Sequence, residues 1–266
     1  MNTHSVTTAQ AADGLRLELA GGVARLTLDR PPVNAISEAW LRQFHRCLDE
    51  LGARGDWQLL HLRSAQKVFC AGADLAEMRA RLASPAGIES MVDIAAGMQK
   101  LFARIEALPQ VTLAEIGGAA LGGGLELALA CDLRIAANEA KLGLPEVRLG
   151  LVPGAGGTQR LTQLAGRATA LRLILTGETL NGAGAESLGL VQWALPRAEL
   201  AGRAAEIAVR TAALPREALA ACKRCIGAAE DPARDGYAEE LVQSRRLYAS
   251  DATRALVNAF LAGTPH

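Results

Sequence analysis

Two carboxylates, Glu126 and Glu146, stand beside glycine-rich runs, and that pairing of residue types is where this chain could do chemistry. Glu126 closes Leu121-Gly122-Gly123-Gly124-Leu125-Glu126, and Glu146 sits in Gly143-Leu144-Pro145-Glu146-Val147-Arg148-Leu149-Gly150, just ahead of Pro153-Gly154-Ala155-Gly156-Gly157-Thr158-Gln159-Arg160. Three consecutive glycines lose much conformational entropy on folding, so they belong where a backbone turns sharply or lets another molecule approach. The good helix formers Leu125 to Cys131 follow at once, so free N–H groups of Gly123 and Gly124 would open a helix start that favours negative charge. Glu126 in that first turn has two readings, a cap for its own helix or a carboxylate facing a cavity. A second carboxylate near backbone donors points to acid-base chemistry.

The elements that must position these residues are legible upstream and downstream. Leu15, Leu17 and Leu19 alternate with Arg16 and Glu18, Gly21-Gly22 supplies a two-residue turn, and Val23 to Leu28 alternates again, which predicts a hairpin. Ser37 as N-cap precedes a helix through about Leu51 with Leu41, Phe44, Leu48 and Leu51 on one face, and Trp57 to Leu62 is the next strand. Asp74-Leu75-Ala76-Glu77 has capping-box spacing, giving Asp74 a structural role and leaving the Ala73 N–H exposed at the helix entrance. Ile88 to Leu108 is helical, Pro109 breaks it, and Val111 to Ile116 is a buried-type strand running into the glycines. Leu133 to Ala137 is another strand, Gly189 to Trp193 the last, and Arg197 to Phe260 is helical, divided into about four by Pro215, Gly227 with Pro232, and Asp251. Strands interleaved with helices imply an α/β layer. Residues 1–13 are polar and small and read as a flexible tail, 14–196 as the core, and 197–266 as a helical region for packing and oligomerisation.

Composition narrows the function. The 266 residues are half apolar with three Trp, two Tyr and four Phe, so the core is aliphatic. Lys plus Arg and Asp plus Glu number 28 each, which removes the electrostatic footprint of a nucleic-acid binder. The N-terminal residues carry neither a basic nor an apolar leader segment, and no apolar run approaches the 18 or so residues of a membrane span, so a cytoplasmic protein with no membrane partner is expected. Five cysteines give no even disulfide framework, and Cys222-Lys223-Arg224-Cys225 lacks the second pair that structural zinc requires. Ser187, His45 and His61 invite a hydrolase reading, but no Gly-x-Ser-x-Gly elbow frames a serine. Gly154-Ala155-Gly156-Gly157 matches neither nucleotide-binding glycine fingerprint.

Four pieces in register, Arg30-Pro31-Pro32-Val33-Asn34-Ala35-Ile36, Phe69-Cys70-Ala71-Gly72-Ala73-Asp74-Leu75, the triple glycine with Glu126, and Leu144-Pro145-Glu146 through Arg160, make the chain resemble the enoyl-CoA hydratase/isomerase (crotonase) superfamily from about Leu15 to Phe260. The resemblance implies a spiral α/β fold of repeated ββα units with a C-terminal helical region, assembled as a homotrimer or a dimer of trimers. It implies addition of water to a 2-enoyl-CoA thioester, with no metal or redox cofactor because coenzyme A belongs to the substrate. Hydration places negative charge on the thioester oxygen, which two fixed N–H donors would hold. The resemblance gives those donors as Ala73 and Gly123, with Glu126 activating water and Glu146 supplying the C2 proton. Ala35, Ile36, Ala71, Asp74 and Leu75 fall where relatives line the coenzyme groove.

The chain departs from its relatives at Gly117-Gly118, where they usually carry Asn-Gly, and after Phe260, where many carry a basic segment. A Δ3,Δ2-enoyl-CoA isomerase or another crotonase-type acyl-CoA enzyme is the nearest alternative, and two carboxylates rather than one favour hydration over isomerisation alone. A non-catalytic acyl-CoA binding protein is the alternative of another class.

Overall fold

The computed structural model describes residues 14–263, together with the backbone of Thr7–Ala9. Thr7–Ala9 form strand β1, antiparallel to β2 (Leu15–Ala20) with Thr7 opposite Leu19, so this part of the expected tail is strand and the rest of it lies outside the described residues. β2 turns through Gly21 and Gly22, both at positive φ (57° and 77°), into β3 (Val23–Leu28). Paired left-handed residues make a turn whose twist matches the strands it joins.

Helix α1 (Glu38–Gly52) starts where Ser37 accepts the Trp40 N–H at 3.2 Å, and it buries Trp40, Leu41, Phe44, Cys47, Leu48 and Leu51 along one stripe. β4 (Leu59–Ser64) pairs parallel with β3. Trp57, expected within that strand, instead packs below it and gives its indole N–H to the Leu51 carbonyl at 2.8 Å. Helices α2 (Leu75–Arg81) and α3 (Pro85–Glu106) form the crossover to β5 (Val111–Ile116), parallel to β4.

Next come β6 (Ala120–Leu121), α4 (Gly123–Leu129), β7 (Leu133–Ala137) and β8 (Leu142–Gly143). A 3-10 turn (Glu146–Leu149), α5 (Gly157–Thr176, kinked at Gly166), β9 (Thr179–Leu180), α6 (Gly182–Ser187), β10 (Trp193–Leu195) and α7 (Arg197–Ala212) follow. Seven strands make the main sheet in the order β1-β2-β3-β4-β5-β7-β10, parallel from β3 onward, and β6-β8-β9 make a second, small sheet beside the site. This is the mixed α/β, parallel-rich architecture that the motif pattern implies.

The last strand begins four residues later than its composition suggests. Arg134 is buried and spends its guanidinium on the carbonyls of Leu190 and Cys131, and Leu190 and Val191 donate to the Ala185 carbonyl. The apolar stretch 189–192 is therefore a turn around a buried arginine, and ladder pairing starts at Trp193 opposite Ile135.

The chain divides into two compact units, Met1–Ala213 and Leu214–His266. α7 belongs to the first, burying Leu200, Ala204, Ile207, Ala208 and Ala212 in its core, so the separate helical region begins at Leu214 rather than at Arg197. The second unit is α8 (Arg216–Ala228), α9 (Gly236–Tyr248) and α10 (Asp251–Leu261). These helices bury little beyond Ala221, Ala228 and Gln243, and leave Ile226, Tyr237, Leu241, Tyr248, Phe260 and Leu261 in solvent. Among the described residues no helix is long and apolar enough to cross a membrane.

Candidate functional site

Three distant segments are laced edge to edge to build the donor side of the site. Ala71 N–H donates to Val33 O, Ile36 N–H to Gly72 O and Asp74 N–H to Ile36 O, which fixes residues 33–36 along 71–74. Phe69 and Cys70 N–H donate to Ala119 O, and Leu121 N–H to Cys70 O, which fixes 69–72 along 119–121. Asn34 locks the corner from a left-handed conformation (φ 52°), its amide reaching Ser64 Oγ and Phe69 O, both at 2.8 Å.

This lacing leaves the amides of Ala73 and Gly123 without an acceptor among the described residues. In the bridge between Ile36 and Ala73, the groups used on the second segment belong to Gly72 and Asp74, so the Ala73 N–H points to the other side. Gly123 is the first residue of α4, where an N–H has no intrahelical acceptor. The two are neighbours through Gly72, which sits at φ 92° so close that a Cβ on it would lie 3.0 Å from Gly123 N. Gly124 is needed for a different reason, since any Cβ there would collide with the Cys70 carbonyl.

Glu126 does not cap its own helix. It is almost fully buried, and its Oε1 accepts N–H groups of Ala155 (2.8 Å) and Gly157 (2.7 Å) from the far glycine loop. Among the described residues none donates a hydrogen bond to Oε2. Burial pushes the Glu126 carboxyl above the ordinary glutamate range, while the two amides and the nearby Arg160 guanidinium pull it back. Glu146 lies across from it at the start of the 3-10 turn, with Oε1 against the Gly122 Cα and Oε2 buried without a partner. Burial, opposed by a backbone hydrogen bond and reinforced by the Glu126 charge, pushes Glu146 up to about 7. Two carboxylates that differ in this way can divide a proton transfer, one ionised as base and the other protonated as acid.

Ala35, Ile36, Ala71, Asp74 and Leu75 come together along the paired edge of 33–36 and 71–74. Asp74 caps α2, accepting from the N–H groups of Ala76 and Glu77, and it is bound by Arg30 at 3.0 Å. The backbone half of the expected capping box goes to Ile36 O instead, because that bond lies in the bridge. Arg30 also holds Ala35 O, and Leu75 stands largely exposed beside it. The sequence reading quoted Arg30 and Arg160 within motifs without giving either a role, and it did not single out Met98. Met98 puts its methyl against Gly123, and Arg160 binds the glycine loop at Ala155 O. A methionine or arginine inside a helix, or an arginine in the loop after a strand, carries no local signal for such roles.

The histidines and serine are not brought together. His45 meets Arg104 on α3, Ser187 bonds back to Gly184 O in α6, and His61 is buried with Nε2 2.9 Å from a Glu115 oxygen. None of the five cysteines forms a disulfide, and among the described residues no group of three or more His, Cys, Asp or Glu could hold a metal ion.

A family model described as enoyl-CoA hydratase/isomerase matches residues 18–257. A Bacillus subtilis (strain 168) protein named probable enoyl-CoA hydratase is 43% identical over 199 residues, 74% of this chain and 76% of that protein. An Arabidopsis thaliana protein named probable enoyl-CoA hydratase 2, mitochondrial, is 42% identical over 189 residues, 70% of this chain and 61% of that protein. The crystal structure of an enoyl-CoA hydratase from Bacillus anthracis superposes with a TM-score of 0.86 at 32% identity, covering 98% of both chains.

Proposed function

This chain belongs to the enoyl-CoA hydratase/isomerase family, and from that premise we propose that it adds water across the C2=C3 bond of a 2-enoyl-CoA thioester to give a 3-hydroxyacyl-CoA. The observation that carries this reading is the pair Glu126 and Glu146, one gripped by two loop amides and the other half-buried, with one carboxyl oxygen out of solvent and a carboxyl pushed up to about 7.

In the proposed reaction the thioester oxygen lies between the N–H groups of Ala73 and Gly123. Glu126 Oε2 takes a proton from water as the water oxygen bonds to C3, and the π electrons move through C2 and C1 onto the thioester oxygen. The two amides stabilise that oxyanion; losing one such donor typically costs roughly 10²- to 10³-fold in rate. Glu146 then gives its proton to C2, and the enolate collapses to the thioester. Atoms and protons balance between water, substrate and two carboxylates, so the reaction as written needs neither metal nor redox cofactor. The edge formed by Ala35, Ile36, Ala71, Asp74 and Leu75 is the proposed coenzyme groove. The exposed apolar side chains of α8, α9 and α10 support assembly of identical chains into a trimer or a dimer of trimers.

Incubating the pure protein with short, long and branched 2-enoyl-CoA thioesters, and following loss of the conjugated chromophore, tests the reading. Hydration of at least one member is expected, and no turnover of any by the folded protein refutes it.

A further inference from the structure

Behind Glu126 stands a clamp whose hydrogen bonds reach the site through backbone carbonyls. The Arg160 guanidinium donates to Ala155 O at 3.1 Å and occupies the space over Gly156, where φ is 99° and a Cβ would strike Nη1. Its other edge meets Glu106 in a fork, Nε to Oε1 at 3.1 Å and Nη2 to Oε2 at 3.0 Å, tying α5 to α3. Gln99, two turns earlier on α3, donates to Gly154 O at 2.7 Å. The segment whose N–H groups bind Glu126 is thus held by its carbonyls, and both holding points trace to α3.

We propose that Arg160, braced by Glu106, is a positioning residue for Glu126: it fixes the 154–157 turn so that the amides of Ala155 and Gly157 converge on one carboxylate oxygen and leave the other aimed at water. This rests on the reading of Glu126 as the base. A planar fork bonded on two edges sets direction as well as charge, which an ammonium cannot do. Groups that support a catalytic side chain act through its placement, and a misplacement of about 1 Å can cost 10²-fold. Two ionisable groups influence Glu126 directly or oppose it across the site, Arg160 from α5 and Glu146 from the 3-10 turn, with Glu106 of α3 behind Arg160. Removing the cation therefore releases Glu126 to titrate higher, while removing only the fork leaves the charge and loosens the turn.

The test uses the full chain labelled with ¹³C at glutamate carboxyls, the Glu126 resonance being the one lost in Glu126→Gln. Arg160→Gln is expected to raise the Glu126 midpoint and to lower kcat for crotonyl-CoA on the order of 10- to 100-fold, with KM nearly unchanged. Arg160→Lys restores the midpoint but not kcat, and Glu106→Gln lowers kcat by a smaller factor because the bond to Ala155 O survives. A folded Arg160→Gln with wild-type midpoint and kcat overturns the proposal, as does one that loses thermal stability alone. If Arg160→Gln does not fold, Arg160→Lys and Glu106→Gln decide, and wild-type kcat in both overturns it. A wild-type protein that hydrates nothing refutes the hydratase reading instead; the midpoint shift then still reports whether Arg160 acts on Glu126.

Discussion

Gly157 donates its N–H to Glu126 at 2.7 Å across 31 residues of sequence. This bond separates the two readings open to a carboxylate in the first turn of a helix. A capping glutamate would turn back to its own amides, and this one reaches forward to another loop. Gly157 is glycine because a Cβ there would come within 3.0 Å of three atoms, two of them in Glu126 itself.

Replacing each carboxylate by its amide separates hydration from isomerisation. Glu126→Gln keeps size and hydrogen bonding but removes the base, so hydration of crotonyl-CoA should fall by roughly 10²- to 10⁴-fold, with any 3-enoyl isomerase activity losing less. Glu146→Gln should damage both reactions, since proton exchange at C2 depends on it in either. Binding of a saturated acyl-CoA, measured by calorimetry, should change little in both variants. Near wild-type hydration by Glu126→Gln would return that residue to a structural role.

The pH dependence follows from the same pair. In the proposed reaction Glu126 is ionised and Glu146 protonated, so kcat/KM should decline as pH rises through about 7 and also at acid pH, where Glu126 takes up a proton above the ordinary glutamate value. Stability has its own sign. The folded state raises Glu146 above its unfolded value, so the proton it holds contributes stability that is fully present below the unfolded value of about 4.3 and is lost as pH rises through about 7. The thermal midpoint of wild type relative to Glu146→Gln should therefore be higher at pH 5 than at pH 8; an equal difference at both would contradict the assignment.

Gly123→Pro tests the oxyanion donor at a place where a helix tolerates proline. The first helical position needs no N–H for the helix itself, so the change deletes a donor without breaking α4. The ring must displace the Met98 methyl, the far end of a flexible side chain. Turnover should drop by roughly 10²- to 10³-fold, read as kcat on crotonyl-CoA in a variant whose circular dichroism is unchanged. Retained activity would put the donor elsewhere.

Much of the scaffold was legible because its signals are local. The Leu15/Leu17/Leu19 alternation, the Gly21-Gly22 turn, Ser37 and Asp74 as caps, and Pro109 as a breaker each act within a few residues, and each stands in the structure as such. What was hidden depends on partners far along the chain. Nothing near Leu190 announces that Arg134 will claim its carbonyl, and nothing near Arg160 announces Glu106. β6, β8 and β9 are two residues each and leave no periodicity to read. The proposed site residues were picked out through motifs, since glycine runs beside carboxylates mark close approach even when the approaching partner cannot be named.

The lacing of 33–36, 69–74 and 119–121 should also be visible to deuterium. Ala71, Asp74 and Leu121 have amides tied into the ladder and should hold their hydrogens until that edge opens. Ala73 and Gly123 have amides with no hydrogen-bond partner among the described residues and should exchange wherever solvent reaches them. A bound thioester would slow those two amides selectively, so isotope uptake can locate the oxygen of a ligand without any catalysis.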